Sequence, residues 1–257
     1  MSLESALAPF ADRLKGYLSA GMGPLLVSTA PGFPLGTLAA LTLPKARRLA
    51  GPSVQEVRAF TARAAVDATV QAVTVTVNGC SPAAQSALLK FVEEPPPGVT
   101  LLLLYSRPYT VLPTIVSRCA NVEGPTGDAL ADVRVWCLAL AGVEIPIARR
   151  HYGHGYPGSI PEALLEARTD PGPVAELLSA VGKRDPVRAL AATRGLVPDQ
   201  VKLLRVKLSR HIAGVVTLPE LRRVPVSVLY QWVEALSDRA VPRSVAVRAG
   251  LMVALGA

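Results

Sequence analysis

Little in this sequence invites covalent or metal cross-linking. Only three of its 257 residues are cysteines, Cys80, Cys119 and Cys137. An odd number without C-x-x-C spacing argues against a disulfide framework and against a zinc site, so no metal is expected. Long apolar runs are missing as well. None reaches the roughly 18 residues that a bilayer-spanning helix needs, so no membrane contact is expected, and the longest runs, 73–77 and 99–105, suit buried strands. The first residues lack the basic segment and apolar stretch of a secretory signal. A reduced, cytoplasmic setting is the expectation.

What is present is a chain half hydrophobic, long enough to bury a sizeable core in more than one domain. Its net charge of +8 is unevenly placed. Residues 1–182 hold 14 basic and 14 acidic side chains, whereas 183–257 hold 13 basic and 5 acidic. That asymmetry points to a distinct C-terminal module that meets an acidic partner or a phosphate backbone. A solvated basic surface that keeps the chain soluble is the alternative.

Hydrophobic spacing orders the chain. Leu3, Leu7, Phe10, Leu14 and Leu18 recur at helical intervals. Residues 25–29 read as a strand, 30–36 as a Pro/Gly loop and 37–43 as an apolar helix. Ser53 can cap a helix carrying Val54, Val57 and Phe60 on one face. Strand 72–77 ends in the turn Asn78-Gly79, Ser81 caps a helix running through Val92, and the prolines at 95–97 stop it. Strand 100–105 and a helical turn at 112–117 follow. Strands alternating with helices predict a parallel sheet covered on both faces. Beyond Gly127 strand signals nearly vanish, and helices are expected over 128–141, 160–168, 174–181, 187–194, 198–215, 226–238 and 245–255. In the 198–215 helix, Val201, Leu204, Leu208, Ile212 and Val215 share one stripe while Leu203 and Val206 lie opposite. Such a helix packs between neighbours, in an oligomer or within its own domain.

Two motifs carry more information than the periodicity. The first is Ser81-Pro-Ala-Ala-Gln-Ser-Ala-Leu-Leu-Lys-Phe-Val-Glu-Glu-Pro-Pro96, and the second is Leu112-Pro-Thr-Ile-Val-Ser-Arg-Cys119. Together they resemble the middle of bacterial and phage clamp-loader AAA+ subunits of DNA polymerase III. The resemblance is good over 20–170 and rests on position and helical character thereafter. It implies an α/β AAA+ domain over 1–123, a small helical lid domain over 124–172 and an all-α collar domain over 173–257.

Measured against that family, the ATP site is degenerate. A phosphate loop reads G-x-x-x-x-G-K-[ST]: its glycines let backbone N–H groups cradle phosphates, its lysine neutralises them and its hydroxyl holds magnesium. The matching stretch here is Thr29-Ala-Pro-Gly-Phe-Pro-Leu-Gly-Thr37. Pro31 and Gly32 keep their places, but Thr29 and Pro34 replace the two glycines, Leu35 the lysine and Gly36 the hydroxyl. Proline has no N–H to donate and leucine cannot offset phosphate charge. The family's strand-end Asp-Glu pair is replaced by Val75 and Thr76. No nucleotide cofactor is expected, although the helix N-terminus keeps some N–H groups.

The family's arginine is retained. Ser117-Arg118-Cys119 is similar to the clamp-loader Ser-Arg-Cys motif, in which the arginine reaches the γ-phosphate on the adjacent subunit. A planar, permanently charged guanidinium suits that task. Ser106 takes the place of the family's first sensor but, beside a degenerate loop, is read as a strand-end serine. The stretch from His154 to Leu165 resembles the lid motif Gly-x-Pro-Gly-x-Ala-Leu. His151 and His154, with no third ligand nearby, are read as loop histidines. The four-cysteine zinc module common in the family is missing, since no cysteine precedes Cys80.

The resemblance, closest to the delta-prime type, therefore implies a subunit that is not itself an enzyme. It would assemble with other clamp-loader ATPases, help place the sliding clamp on primed DNA, and lend Arg118 in trans. The alternatives are an active ATPase with a variant loop and a stand-alone basic DNA-binding protein.

Overall fold

The computed structural model describes residues 2–64, 67, 69–107, 109–154, 156, 158–238 and 242–255, with the side chains of Arg243 and Val253 left aside. The chain divides into two compact units, 1–161 and 162–257.

The first unit is built on a five-stranded sheet: β1 (Leu25–Thr29), β2 (Arg47–Ala50), β3 (Ala72–Thr76), β4 (Thr100–Ser106) and β5 (Ala120–Glu123). Their order is β2-β3-β4-β1-β5 and every pairing is parallel. Leu25 pairs with Leu102, and Thr29 with Ser106, so β1 and β4 end level with each other. Parallel neighbours need crossovers; after α1 (Leu3–Ser19), which precedes the first strand, helices α2 (Leu35–Thr42), α3 (Val54–Ala64), α4 (Pro82–Glu93) and α5 (Pro113–Val116) supply them. Alternation along each strand then loads both faces of the sheet. Leu26, Val73, Val75, Leu101 and Leu103 meet Val57, Phe60, Leu88, Phe91 and Ile115 in one cluster. Leu25, Val27, Leu102 and Leu104, equally buried, face the opposite way, where α2 packs on β3 and β4. Helix α6 (Gly127–Leu140) packs on α1 and on α7 (Ile145–Tyr152).

Local chemistry starts these helices. The Ser53 hydroxyl accepts from the Glu56 amide while the Glu56 carboxylate accepts from the Ser53 amide, a reciprocal capping box. Ser81 caps α4 by accepting from Ala84, with Pro82 at the first helical position.

The second unit is helical throughout its described residues. Helix α8 (Ile160–Arg168) leads into it, followed by α9 (Gly172–Gly182), α10 (Pro186–Arg194), α11 (Pro198–Ile212), a 3-10 turn at Pro219–Leu221, α12 (Val226–Ser237) and α13 (Arg243–Leu255). Val174, Leu177, Leu178, Val181, Val201, Leu204, Leu208, Leu229, Trp232, Val247 and Leu251 form its core. Arg210 on α11 holds Glu162 at 2.8 Å and Glu166 at 2.6 Å, both on α8.

Several expectations need correction. Strands β2 and β5 are additional to the three anticipated, and helix α7 lies where none was foreseen. The helix expected over 37–43 begins at Leu35. His151 is no loop residue: it sits in the last turn of α7. His154 follows in a turn, its Nδ1 paired with the Asp128 carboxylate. The helix expected over 198–215 stops at Ile212, where Gly214 adopts φ +71° and its amide bonds the His211 carbonyl. Val215 is consequently exposed. Leu203, placed on the second side of that helix, is buried in the unit's own core. Gly155 and Pro157 of the lid-like motif lie outside the described residues.

Candidate functional site

The carboxyl ends of β1, β3 and β4 carry the loop after β1, the polar strand ends and the entry into α5, whereas Arg118, just before β5, whose Ala120 pairs with Leu25, lies at the opposite, amino end of the sheet.

The loop from Ala30 to Pro34 closes on itself. Phe33 donates to the Ala30 carbonyl at 3.2 Å and Leu35 to the Phe33 carbonyl at 2.8 Å. Pro31 and Pro34 have no N–H. From Pro31 to Leu35, Gly32 thus keeps the one amide without a partner among the described residues. Gly32 has φ +73°, a left-handed conformation that glycine adopts without penalty. A Cβ built there would stand 2.6 Å from the Pro161 ring and 3.4 Å from Ile160, so the first turn of α8 is seated directly on the loop. Leu35, at the lysine position, is buried in the core with 7% of its surface exposed. Thr29 is buried too, its hydroxyl donating to the Tyr105 carbonyl at 3.1 Å. Gly36 is exposed in the first turn of α2, with open space beside it.

At the strand ends, Val75 is fully buried and Thr76 closes β3. Two residues later Asn78 bridges to β4. Its Nδ2 donates to the Ser106 hydroxyl at 2.7 Å, and its Oδ1 accepts from the Ser106 amide at 2.9 Å. Ser106 is therefore occupied as well as buried. Among the described residues, no cluster of three His, Cys, Asp or Glu side chains forms a metal site.

The Arg118 segment is anchored by a residue that spacing alone did not mark. Gln85, inside α4 and buried, accepts from the Leu112 amide at 2.8 Å and donates to the Thr110 carbonyl at 3.3 Å. That amide clamp fixes the entry into α5, and Ile115 is fully buried beneath it. Its signal was a glutamine on the buried face of an otherwise apolar stripe (Ala84, Leu88, Phe91), which needs a partner. Beyond the clamp, Arg118 stands exposed. Its Nε meets Glu93 Oε1 at 2.5 Å, and one terminal nitrogen donates to the Thr114 carbonyl at 2.9 Å. Ser117 bonds the same carbonyl at 3.2 Å and is exposed. Cys119 is partly buried, and burial pushes its thiol up to about 11.

Residues 45–125 match the family model described as DNA polymerase III, delta subunit. A DNA polymerase III gamma subunit-related protein from Thermotoga maritima shares the fold, with TM-score 0.53 and 16% identity over 96% of this chain and 98% of that one. A Thermotoga maritima RuvB variant aligns with TM-score 0.41 and 18% identity over 78% of this chain and 74% of its own. A comparison with curated proteins finds no match. The architecture is that of an AAA+ module, a parallel sheet covered by helices with an all-helical C-terminal region. Within that fold, the segment carrying Gln85 and Arg118 is similar to the family described as DNA polymerase III, delta subunit.

Proposed function

We propose that this chain is a delta-prime-like clamp-loader subunit that does not hydrolyse ATP and supplies Arg118 to the ATP site of a neighbouring subunit. In this reading 1–123 is a degenerate AAA+ domain, 124–172 a lid and 173–257 a collar that joins the other subunits. The assembly acts in the cytoplasm, placing a sliding clamp on primed DNA.

The observation that carries the reading is the contrast between the phosphate loop at one end of the sheet and the arginine segment at the other. The phosphate loop spends the Phe33 and Leu35 amides internally, buries Leu35 where a cation would be needed, and lies under Pro161. The arginine segment, by contrast, is held by a buried amide clamp and ends in an exposed guanidinium. An arginine that binds charge growing on a departing γ-phosphoryl group accelerates hydrolysis more than it strengthens ground-state binding. In the free chain Arg118 sits in a surface ion pair with Glu93, and a neighbour's phosphate would compete for it at little cost, since exposed pairs contribute only about 0–1 kcal/mol.

The test is clamp- and DNA-stimulated ATP hydrolysis by the reconstituted complex, with wild-type and Arg118→Ala subunits at matched assembly. Reduced turnover at one site with unchanged assembly is expected. Equal rates would make Ser117-Arg118-Cys119 a structural relic.

A further inference from the structure

The C-terminal unit carries a cleft of about 370 Å³ between the end of α9 and the 3-10 turn. Its lining is almost wholly polar: Ser179, Lys183, Glu220, Arg222 and Arg223, with Gly182 and Pro219. The cleft depends on Gly182. A Cβ there would stand 2.7 Å from the Glu220 carbonyl oxygen and 3.0 Å from its Cα, so any larger residue would push the turn off α9.

Lys183, Arg222 and Arg223 are exposed and have no carboxylate partner among the described residues. Arg184 adds a fourth exposed cation beside them. It adopts φ +55°, in the position after the helix cap where glycine or asparagine is the usual occupant. Its amide bonds Val181 and that of Asp185 bonds Ala180, so the α9 carbonyls are satisfied by backbone. The side chains are thus not needed to close the helix. Glu220 is the one acid lining the cleft, against three lining cations.

We propose that this cleft binds the phosphodiester backbone of nucleic acid. Lys183, Arg222 and Arg223 would neutralise successive phosphates, and Ser179 would offer a hydroxyl donor. Backbone binding rests on cation-for-counterion exchange and needs no apolar floor. A protein partner would need one, because the cores of such interfaces are depleted of charge. The cleft offers four ionisable groups and no large apolar side chain. The proposal does not rest on the Arg118 reading, for it concerns the isolated chain.

The experiment is fluorescence anisotropy of the full chain with labelled duplex and single-stranded DNA over a salt series. The triple variant Lys183→Gln/Arg222→Gln/Arg223→Gln is compared with a control of equal charge, Arg194→Gln/Arg205→Gln/Arg248→Gln, whose residues are also exposed. Circular dichroism verifies that both remain folded. Each lost phosphate contact flattens the slope of log K against log salt by about 0.9 on duplex DNA. The cleft variant should therefore lose more than tenfold in affinity and between two and three units of slope, while the control changes little. Equal losses in both variants would reduce the effect to net charge and overturn the proposal. Absence of DNA binding by the wild type would overturn it too. Displacement of DNA by low millimolar inorganic phosphate would make this a small-anion site and overturn the backbone assignment.

Discussion

Arg118 and Glu93 join the ends of two consecutive helices: the arginine stands just beyond α5, the glutamate is the last residue of α4, and their atoms meet at 2.5 Å. Both side chains are well exposed, so the pair aims the guanidinium more than it stabilises the fold. Glu93→Gln should shift stability by less than about 1 kcal/mol and slow the neighbour's hydrolysis several-fold. Arg118→Ala should cost far more, toward the 10³–10⁵ known for arginine fingers in GTPases at the single affected site. Arg118→Lys should rescue poorly, since an ammonium lacks the planar fork. Single-turnover hydrolysis in the assembled complex and thermal melts of the free subunit separate these effects.

The isolated chain should show no ATP binding at micromolar affinity and no turnover. Leu35→Lys should not create either, because Phe33 and Leu35 still donate inward, Pro34 still lacks its amide and Pro161 still covers Gly32. Burying a lysine at position 35 should instead destabilise the unit, as an unpaired charge would be placed in the core. Isothermal calorimetry with magnesium-ATP is the measurement, and a micromolar binding isotherm for the wild type would refute the degenerate-site reading.

Gln85 should behave as a structural linchpin of the arginine segment. Gln85→Ala strands the Leu112 amide and the Thr110 carbonyl and should cost about 1–3 kcal/mol. Hydrogen exchange at Leu112 should accelerate in this variant, and trans activation of the neighbour should fall even though Arg118 is intact. Gln85→Glu keeps the acceptor for Leu112 but loses the donor, so intermediate behaviour is expected.

All three cysteines should be poor nucleophiles in the folded state. Burial raises each thiol, that of Cys119 from 9.0 to about 11. At pH 8 its thiolate fraction is then roughly a hundredfold below that of an unperturbed thiol, and alkylation should slow accordingly until denaturant is added. The sign of the stability effect follows. The unfolded chain loses this proton near pH 9 and the folded chain only near 11, so above pH 9 the unfolded state binds fewer protons and stability falls as pH rises toward 11. Denaturant titrations between pH 7 and 11 report it.

The sequence revealed the elements whose own residues decide their fate. Strands β1, β3 and β4 are central and buried on both faces, so Leu25–Val27 and Leu101–Leu104 form continuous apolar runs and Val73 and Val75 flank a buried Thr74. Strands β2 and β5 lie at the two edges. Their four residues each include Arg47 and Arg48, or Asn121 and Glu123, and only pairing with β3 or β1 makes them extended. Helix α7 was missed because only Ala148 of its eight residues is buried, leaving almost no periodic signal. Its end is held instead by Arg134 of α6, which donates to the carbonyls of Tyr152 and Gly153, a long-range tether with no local trace. At the site, Arg118 and the altered loop residues could be named from their motifs. The Gln85 clamp, the Asn78–Ser106 bridge and the seating of Pro161 on Gly32 could not, because each joins residues at least 25 positions apart.

The two open edges of the sheet have a consequence for handling and for life in the cell. An unpaired strand is a template on which a second chain can add itself, and a protein unable to close its sheet must discourage that. Arg47 and Arg48 line β2, Asn121 and Glu123 line β5, and all four are exposed. Any copy approaching β2 edge to edge would bring arginines against arginines. Concentrated preparations should therefore stay clear of fibrils, and replacing Arg47 and Arg48 with valine should be enough to seed them.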